Sequence, residues 1–380
     1  DYTNGEPSIL LEPSRTNLIA NSTTTIANNT TIEYNNILSP ENILNGVKVT
    51  STASSAYVRT DTVAMTSNNT ISVFLKAGTS NYVQVLGAGN AGDFFNINLE
   101  NFTVGNTGAT TSNVTIQQYS NDWYRCSAKF AGYTGNTTIR LLLSDSDSNY
   151  NATSSTTGKF LYYYGLQLET GSYATSLIHT SGSTVTRSAD AANNAGNSDL
   201  INSTEGVIYA EIKALADDGT FRLITISAGA NNNIVKFGYR STSQAIYYEV
   251  RSGNVSQAFQ IYTTQDVLEY HKVAIKYKEN DFALYINGSE VMTDNSGIVP
   301  VGMNSLQFES FVGNCKMVAV FKEALTDLEL AKLTGYNNHE LYMNYYNRLS
   351  YLGLVEEYNV ESDINNYILW YQVYYKYQVL

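Results

Sequence analysis

Apolar and polar residues alternate along most of this chain in short runs rather than at helical spacing. In the first half, 71–76, 82–86, 123–130 and 138–143 are β-branched or aromatic and partly alternating. Clusters such as Asn68-Asn69 and Gly87-Ala88-Gly89-Asn90 separate them. A period of two is that of a strand with two unlike faces, and the punctuation is that of turns. No helical window appears between 7 and 175. Strands at this spacing without intervening helices predict a two-sheet sandwich over 1–175.

The pattern changes at 176–204, where Ser181-Gly182-Ser183-Thr184 and 191–198 are small and polar. With little to bury, this stretch reads as a linker or a strap over a domain surface. Strand-like runs resume at 207–212, 221–226, 234–239 and 245–250. A hairpin over 282–291 turns on Asn287-Gly288, a pair that tolerates positive φ at both positions. Asp217-Asp218-Gly219 reads as another hairpin turn. Thr326 with Glu329 forms a capping box for a short helix over 325–333, and Gly335 stands at its C-cap. The second sandwich is therefore expected over 205–336. The fold class is all-β: two tandem antiparallel β-sandwiches, closed by a helix-plus-strand segment over 337–380.

In that last segment Tyr342, Tyr345, Leu349 and Leu352 share one helical face, widened by Leu341, Tyr346 and Val355. From Leu369 the period becomes two: Leu369, Tyr371, Val373, Tyr375, Tyr377 and Val379 share a face, with Trp370 on the other. Each buried Val or Leu contributes roughly 1.5–3 kcal/mol, so this surface requires a cover. Packing against another copy or a neighbouring sheet edge makes Tyr342, Tyr345, Leu349, Leu352, Trp370, Tyr371 and Tyr375 the assembly candidates. Folding back onto the second sandwich is the alternative.

Composition narrows the function. Lys and Arg total 22 against 34 Asp and Glu, a net charge of −12, and only 15% of residues are charged. Nucleic-acid partners are disfavoured, because phosphate contacts need clustered cations. No apolar run reaches 18 residues, so no helix inserts into a membrane. Asp1 in first position, without a signal region after it, suggests that the numbering starts within a longer or processed chain. Cys126 and Cys315 lie in separate strand-like runs without metal-ligand spacing and read as buried free thiols.

Catalytic chemistry is sparse. His179, His271 and His339 fall in three different regions, and no nucleophile elbow, zinc pair or phosphate loop occurs. Glu211 and Glu249 sit on strands, where solvent-facing positions account for them more simply than a glycosidase pair. The chain reads as a non-enzyme. Asp145, Asp147 and Asn149 alternate as oxygen ligands do at the start of a calcium loop, but Tyr150 and Thr156 stand where an EF-hand has Gly and Glu. Calcium is the one cofactor candidate, against a solvated polar loop. The Asn-x-Ser/Thr sequons at Asn21, Asn113, Asn136 and Asn151 follow from composition. Tyrosine, at 31 residues, suits sugar stacking and protein interfaces alike. In clusters such as Tyr162-Tyr163-Tyr164 and Tyr247-Tyr248, neighbouring rings must face opposite ways.

Four phrases carry a resemblance. They are the opening 1–18 with Leu11-Glu12-Pro13-Ser14-Arg15-Thr16-Asn17, then Asn121-Asp122-Trp123-Tyr124-Arg125-Cys126, then 164–176, then 180–190 with Thr186-Arg187-Ser188-Ala189-Asp190. In this order they resemble phage tail-fibre and other virion proteins, whose first domain is a jelly roll like those of carbohydrate-binding modules. Residues 270–277 followed by Leu284-Tyr285-Ile286-Asn287-Gly288 resemble laminin-G-like, concanavalin-type sandwiches, with Tyr270 where that family more often has Trp. The resemblance implies a virion fibre or appendage that contacts surface glycans or serves as a spacer, on the particle surface, beside neighbouring virion proteins. It also implies a homo-oligomer, with a trimer favoured. A bacterial extracellular adhesin, or the accessory region of a polysaccharide-degrading enzyme, is the alternative.

Overall fold

The computed structural model describes residues 7–240, 244–264 and 266–335. Two compact units divide them: Glu12–Asp190, and a second made of residues 7–11 with 191–335. Both are antiparallel β-sandwiches.

In the first unit, one sheet runs in the order Thr111–Gln118, Tyr124–Phe130, Asn69–Lys76, Phe160–Thr170, Leu44–Ser51, Thr30–Leu38. The facing sheet runs Thr103–Thr107, Phe94–Asn98, Tyr82–Gly87, Ile139–Ser144, Tyr57–Arg59, Ile26–Asn28. The expected strands are all present. Alternation does the work: Ile71, Val73 and Leu75 point between the sheets with Val83, Val85, Leu141 and Leu143. Each such side chain removed from water contributes roughly 1.5–3 kcal/mol, which drives the closure.

The second unit has a six-stranded sheet in the order Ile9–Leu11, Gly313–Phe321, Glu205–Ala214, His271–Lys278, Phe282–Ile286, Ser289–Asp294. Its partner has five strands: Val255–Thr263, Ala245–Ser252, Ile234–Tyr239, Arg222–Ser227, Ser305–Gln307. Ile208, Ile226, Phe237, Tyr248, Ile275 and Leu284 fill the space between. The helix Asp327–Gly335 lies on the outer face of the six-stranded sheet, burying Leu330 and Leu333 against Val207, Tyr209 and Tyr285. Its capping box forms: Glu329 N–H donates to Thr326 Oγ1 at 3.3 Å, and Thr326 N–H to Glu329 Oε2 at 2.9 Å. Asn287 and Gly288, at φ 48° and 86°, close the expected hairpin with Ile286 opposite Ser289.

The boundaries differ from those read in the sequence. Ile9–Leu11 pairs with Gly313–Phe321 and belongs to the second unit. Residues 176–204 are divided between the units: Val185–Arg187 pairs with Arg15–Asn17, whereas Ile201 is buried in the second core. Small polar residues bury little apolar area, but their backbone amides still pair. Composition does not register that pairing. Asp217-Asp218-Gly219 joins strands of two different sheets, Glu205–Ala214 and Arg222–Ser227, so it is not a hairpin turn. The assembly candidates over 337–380 lie outside the described residues.

Candidate functional site

The outer face of the five-stranded sheet brings exposed aromatic rings beside a group of paired charges. Ile224, Ile226, Val235, Phe237, Tyr248 and Val250 face the core, so the alternate residues face outward. One cross-strand row there is Thr225, Lys236, Glu249 and Phe259; the next sets Leu223, Gly238 and Tyr247 side by side. Gly238 is required: its φ is +147°, and a Cβ would fall 1.9 Å from the Arg222 carbonyl.

Aromatic rings form the rim. Phe221 and Phe259 stand 40% and 49% exposed. Tyr247 lies edge-on to both, with ring centroids 6.1 Å and 5.7 Å away. Beneath them Glu249 is enclosed, only 3% exposed. Its Oε2 accepts from Tyr247 Oη at 2.5 Å and lies 3.1 Å from Lys236 Nζ, while Oε1 accepts from Arg251 Nη2 at 2.8 Å. Burial acts to raise the Glu249 carboxyl, but the hydrogen bonds from Tyr247, Arg251 and Lys236 outweigh it and hold it below the ordinary carboxylate range. Burial, then the hydrogen bond to Glu249, push the Tyr247 phenol well up. The phenol therefore stays a donor, and Lys236 sits over its ring at 5.4 Å. Exposed rings beside a fixed set of charged donors and acceptors can stack on one face of a sugar and bond its hydroxyls.

The two carboxylates singled out in the sequence do not meet. Glu211 is on the outer face of the six-stranded sheet, 4% exposed, with Oε1 3.5 Å from Lys316 Nζ. Glu249 is on the outer face of the opposite sheet, so the core lies between them. Both were expected to be solvated, and neighbouring side chains enclose both. His271 is buried between Tyr239 Oη at 3.3 Å and Thr264 Oγ1 at 2.6 Å, and burial lowers its pKa. His179 lies 2.7 Å from Glu41 in the first unit, and His339 falls outside the described residues.

The phrase residues have structural work. Glu12 Oε1 accepts from Ser176 N–H at 2.8 Å, and its Oε2 lies 2.7 Å from Arg187 Nη1. Asn17 donates to the carbonyls of Leu166 and Ile178 and accepts from the amides of Ile19 and Leu168. Trp123 Nε1–H donates to the Leu38 carbonyl at 2.9 Å. Buried Glu169 accepts from Gln167 and from Thr175. Polar groups used this way by the chain itself are not available to a ligand.

The calcium candidates are also engaged. Asp147 Oδ1 accepts from Asn96 Nδ2 and Asn106 N–H, both at 2.8 Å, and Asp145 Oδ2 accepts from Thr156 Oγ1 at 2.8 Å. Asn149 contributes its backbone carbonyl to Gln84 at 3.0 Å. Among the described residues, no three His, Cys, Asp or Glu side chains are grouped to hold a metal ion. A polar hollow of about 290 Å³ in the first unit is lined by Asn21, Ser22, Thr23, Thr24, His179, Thr180 and Ser181. Tyr164, the ring beside His179, is 1% exposed and offers no stacking surface.

Sequence reading selected no binding tyrosine. The alternation in Tyr247-Tyr248 correctly separates one outward ring from one inward, but the enclosure of Glu249 depends on strands distant in sequence.

No family model matches the chain, and no curated protein does. Among solved structures, the native heptameric SAP-like pentraxin from Limulus polyphemus is 15% identical over 37% of this chain and 74% of its own, with a TM-score of 0.31. Mouse laminin alpha1 chain domains LG4-5 are 10% identical over 68% of this chain and 85% of theirs, at 0.24. Sheep galectin-11, in complex with glycerol, is 11% identical over 32% of this chain and 92% of its own, at 0.23. All three scores lie below 0.5, and none of the three is a virion protein.

Proposed function

We propose that this chain is a non-enzymatic fibre or appendage protein of a phage particle that contacts surface glycans through the second sandwich. One observation carries the glycan reading: exposed Phe221 and Phe259 flank half-buried Tyr247 over an ordered Lys236–Glu249–Arg251 group. Pyranose rings present a C–H face to aromatics and hydroxyls to charged groups, and both are met here within one sheet face. Glu249 is already engaged by Tyr247, Lys236 and Arg251, which supports binding over hydrolysis. The four phrases of the first half support the virion assignment. A homo-oligomer, with three copies favoured, fits the exposed Ile26, Tyr34 and Leu38 on edge strands of the first unit.

A glycan array probed with the wild-type chain and Phe259→Ala tests the binding half. Glycan signal that falls about tenfold or more in the variant supports the assignment. No signal, or equal signal from the two proteins, refutes this face as the site. Antibody labelling of purified particles tests the virion half, and particles that carry no copies refute it.

A further inference from the structure

The ligand class at this face follows from its charge, and the inference rests on the glycan reading above. Lys236 and Arg251 both contact Glu249, which neutralises only one of them. Arg240, which follows strand Ile234–Tyr239, is near enough to act electrostatically on Tyr247, and its Nε is buried without a hydrogen-bond partner. Among the described residues, Glu309 adds a second carboxylate at this face, its Oε2 accepting from Thr225 Oγ1 at 3.1 Å, while Asp218 beside Phe221 is paired with Arg222 at 2.7 Å. Among these described groups, Lys236, Arg251 and Arg240 against Glu249 and Glu309 leave +1, on a chain whose total is −12. The remaining negative charge acts weakly here, because charges beyond about 8 Å are largely screened at physiological salt.

We infer that the site takes an acidic polysaccharide whose uronic acid residue stacks on the Tyr247–Phe259 edge and presents its carboxylate to Lys236 and Arg251. The geometry fits this class. A uronate bears its carboxylate directly on the pyranose ring, one C–C bond of about 1.5 Å from it. Lys236 Nζ sits over the Tyr247 ring, 5.4 Å from its centroid, with 16% of the side chain exposed, and Phe259 offers its exposed ring beside them. Its ammonium has three donors, and Glu249 takes one. A ring held against the aromatic rim therefore brings its carboxylate to a cation with donors to offer. A neutral sugar stacks equally well but leaves the surplus charge unmatched.

Affinity electrophoresis of the full chain in gels containing polygalacturonate or neutral galactan tests the assignment. Wild type is expected to be retarded by polygalacturonate, with the retardation relieved by added salt, and to be retarded at least about tenfold less by galactan. Lys236→Gln keeps a donor for Glu249 but removes the charge, and should lose the retardation. Lys236→Arg should retain it. Phe259→Ala changes only an exposed ring and should also lose it, so the result does not depend on how Lys236→Gln folds. Retardation by galactan equal to that by polygalacturonate, or polygalacturonate binding insensitive to Lys236→Gln and Phe259→Ala, overturns the acidic-sugar inference while leaving glycan binding in place. A failure of both polymers, together with a blank glycan array, overturns both readings.

Discussion

Glu12 and Arg187, at opposite ends of the first unit, meet at 2.7 Å. The glutamate side chain is only 8% exposed and the arginine 26%. This contact, with the Ser176 amide on the other carboxylate oxygen, ties the opening of the unit to its last strand. Removing Glu12 leaves the partly buried Arg187 guanidinium uncompensated and the Ser176 amide without its acceptor. Glu12→Ala is expected to destabilise the first unit by about 2–4 kcal/mol. Urea unfolding followed by tryptophan fluorescence in a Trp370→Phe background, where buried Trp123 alone reports, reads this, and an unchanged midpoint would contradict a structural role for the phrase.

The second unit should weaken in acid. The carboxyls of Glu249 and Asp218 are both held below their ordinary values. In each, burial opposes the shift and hydrogen bonds outweigh it, from Tyr247, Arg251 and Lys236 in one and from Arg222 and Thr220 in the other. A depressed folded-state pKa contributes stability above the unfolded value, near 4, and loses it as pH falls through the folded value. Stability measured from pH 6 downward, in steps of about one unit, should decline below the ordinary carboxylate range. Glu249→Gln should flatten that decline, and an identical acid limb in the variant would exclude Glu249 as a contributor.

Thr326→Ala should cost about 1 kcal/mol, the usual value of an N-cap, because the hydroxyl accepts the Glu329 amide. The loss should appear in thermal unfolding of the second unit. Thr326→Ser, which keeps the hydroxyl, should restore most of it.

Both thiols should be silent in the folded chain. Cys126 and Cys315 are free and buried; burial pushes the Cys315 thiol up to about 12 and that of Cys126 higher still. The thiolate is the reactive form. Titration with a thiol reagent at pH 8 should therefore find neither cysteine until denaturant is added. Rapid native labelling of either would show that its strand opens.

Calcium should leave the first unit unchanged, since Asp145 and Asp147 are already hydrogen-bond acceptors for Thr156, Asn96 and Asn106. Melting with calcium and with chelator should coincide. A saturable rise in melting temperature with calcium would establish the loop as a cation site after all.

What this chain determines by itself is local. The two-residue period of Ile71, Val73 and Leu75, the Asn287-Gly288 turn and the Thr326–Glu329 cap each follow from backbone sterics or from hydrogen bonds between near neighbours. They are legible wherever they occur. Strand partners are not. Ile9–Leu11 joins Gly313–Phe321, and Lys236, Glu249 and Phe259 form one row, only because antiparallel registers bring distant segments side by side. A solvent-facing position at Glu249 is all that alternation alone can predict. Tertiary structure encloses that carboxylate under Tyr247, pairs it with two cations and leaves Phe221 and Phe259 in water. The difference is physical: period and turn chemistry belong to a few consecutive residues, whereas burial and electrostatics depend on every strand that packs nearby.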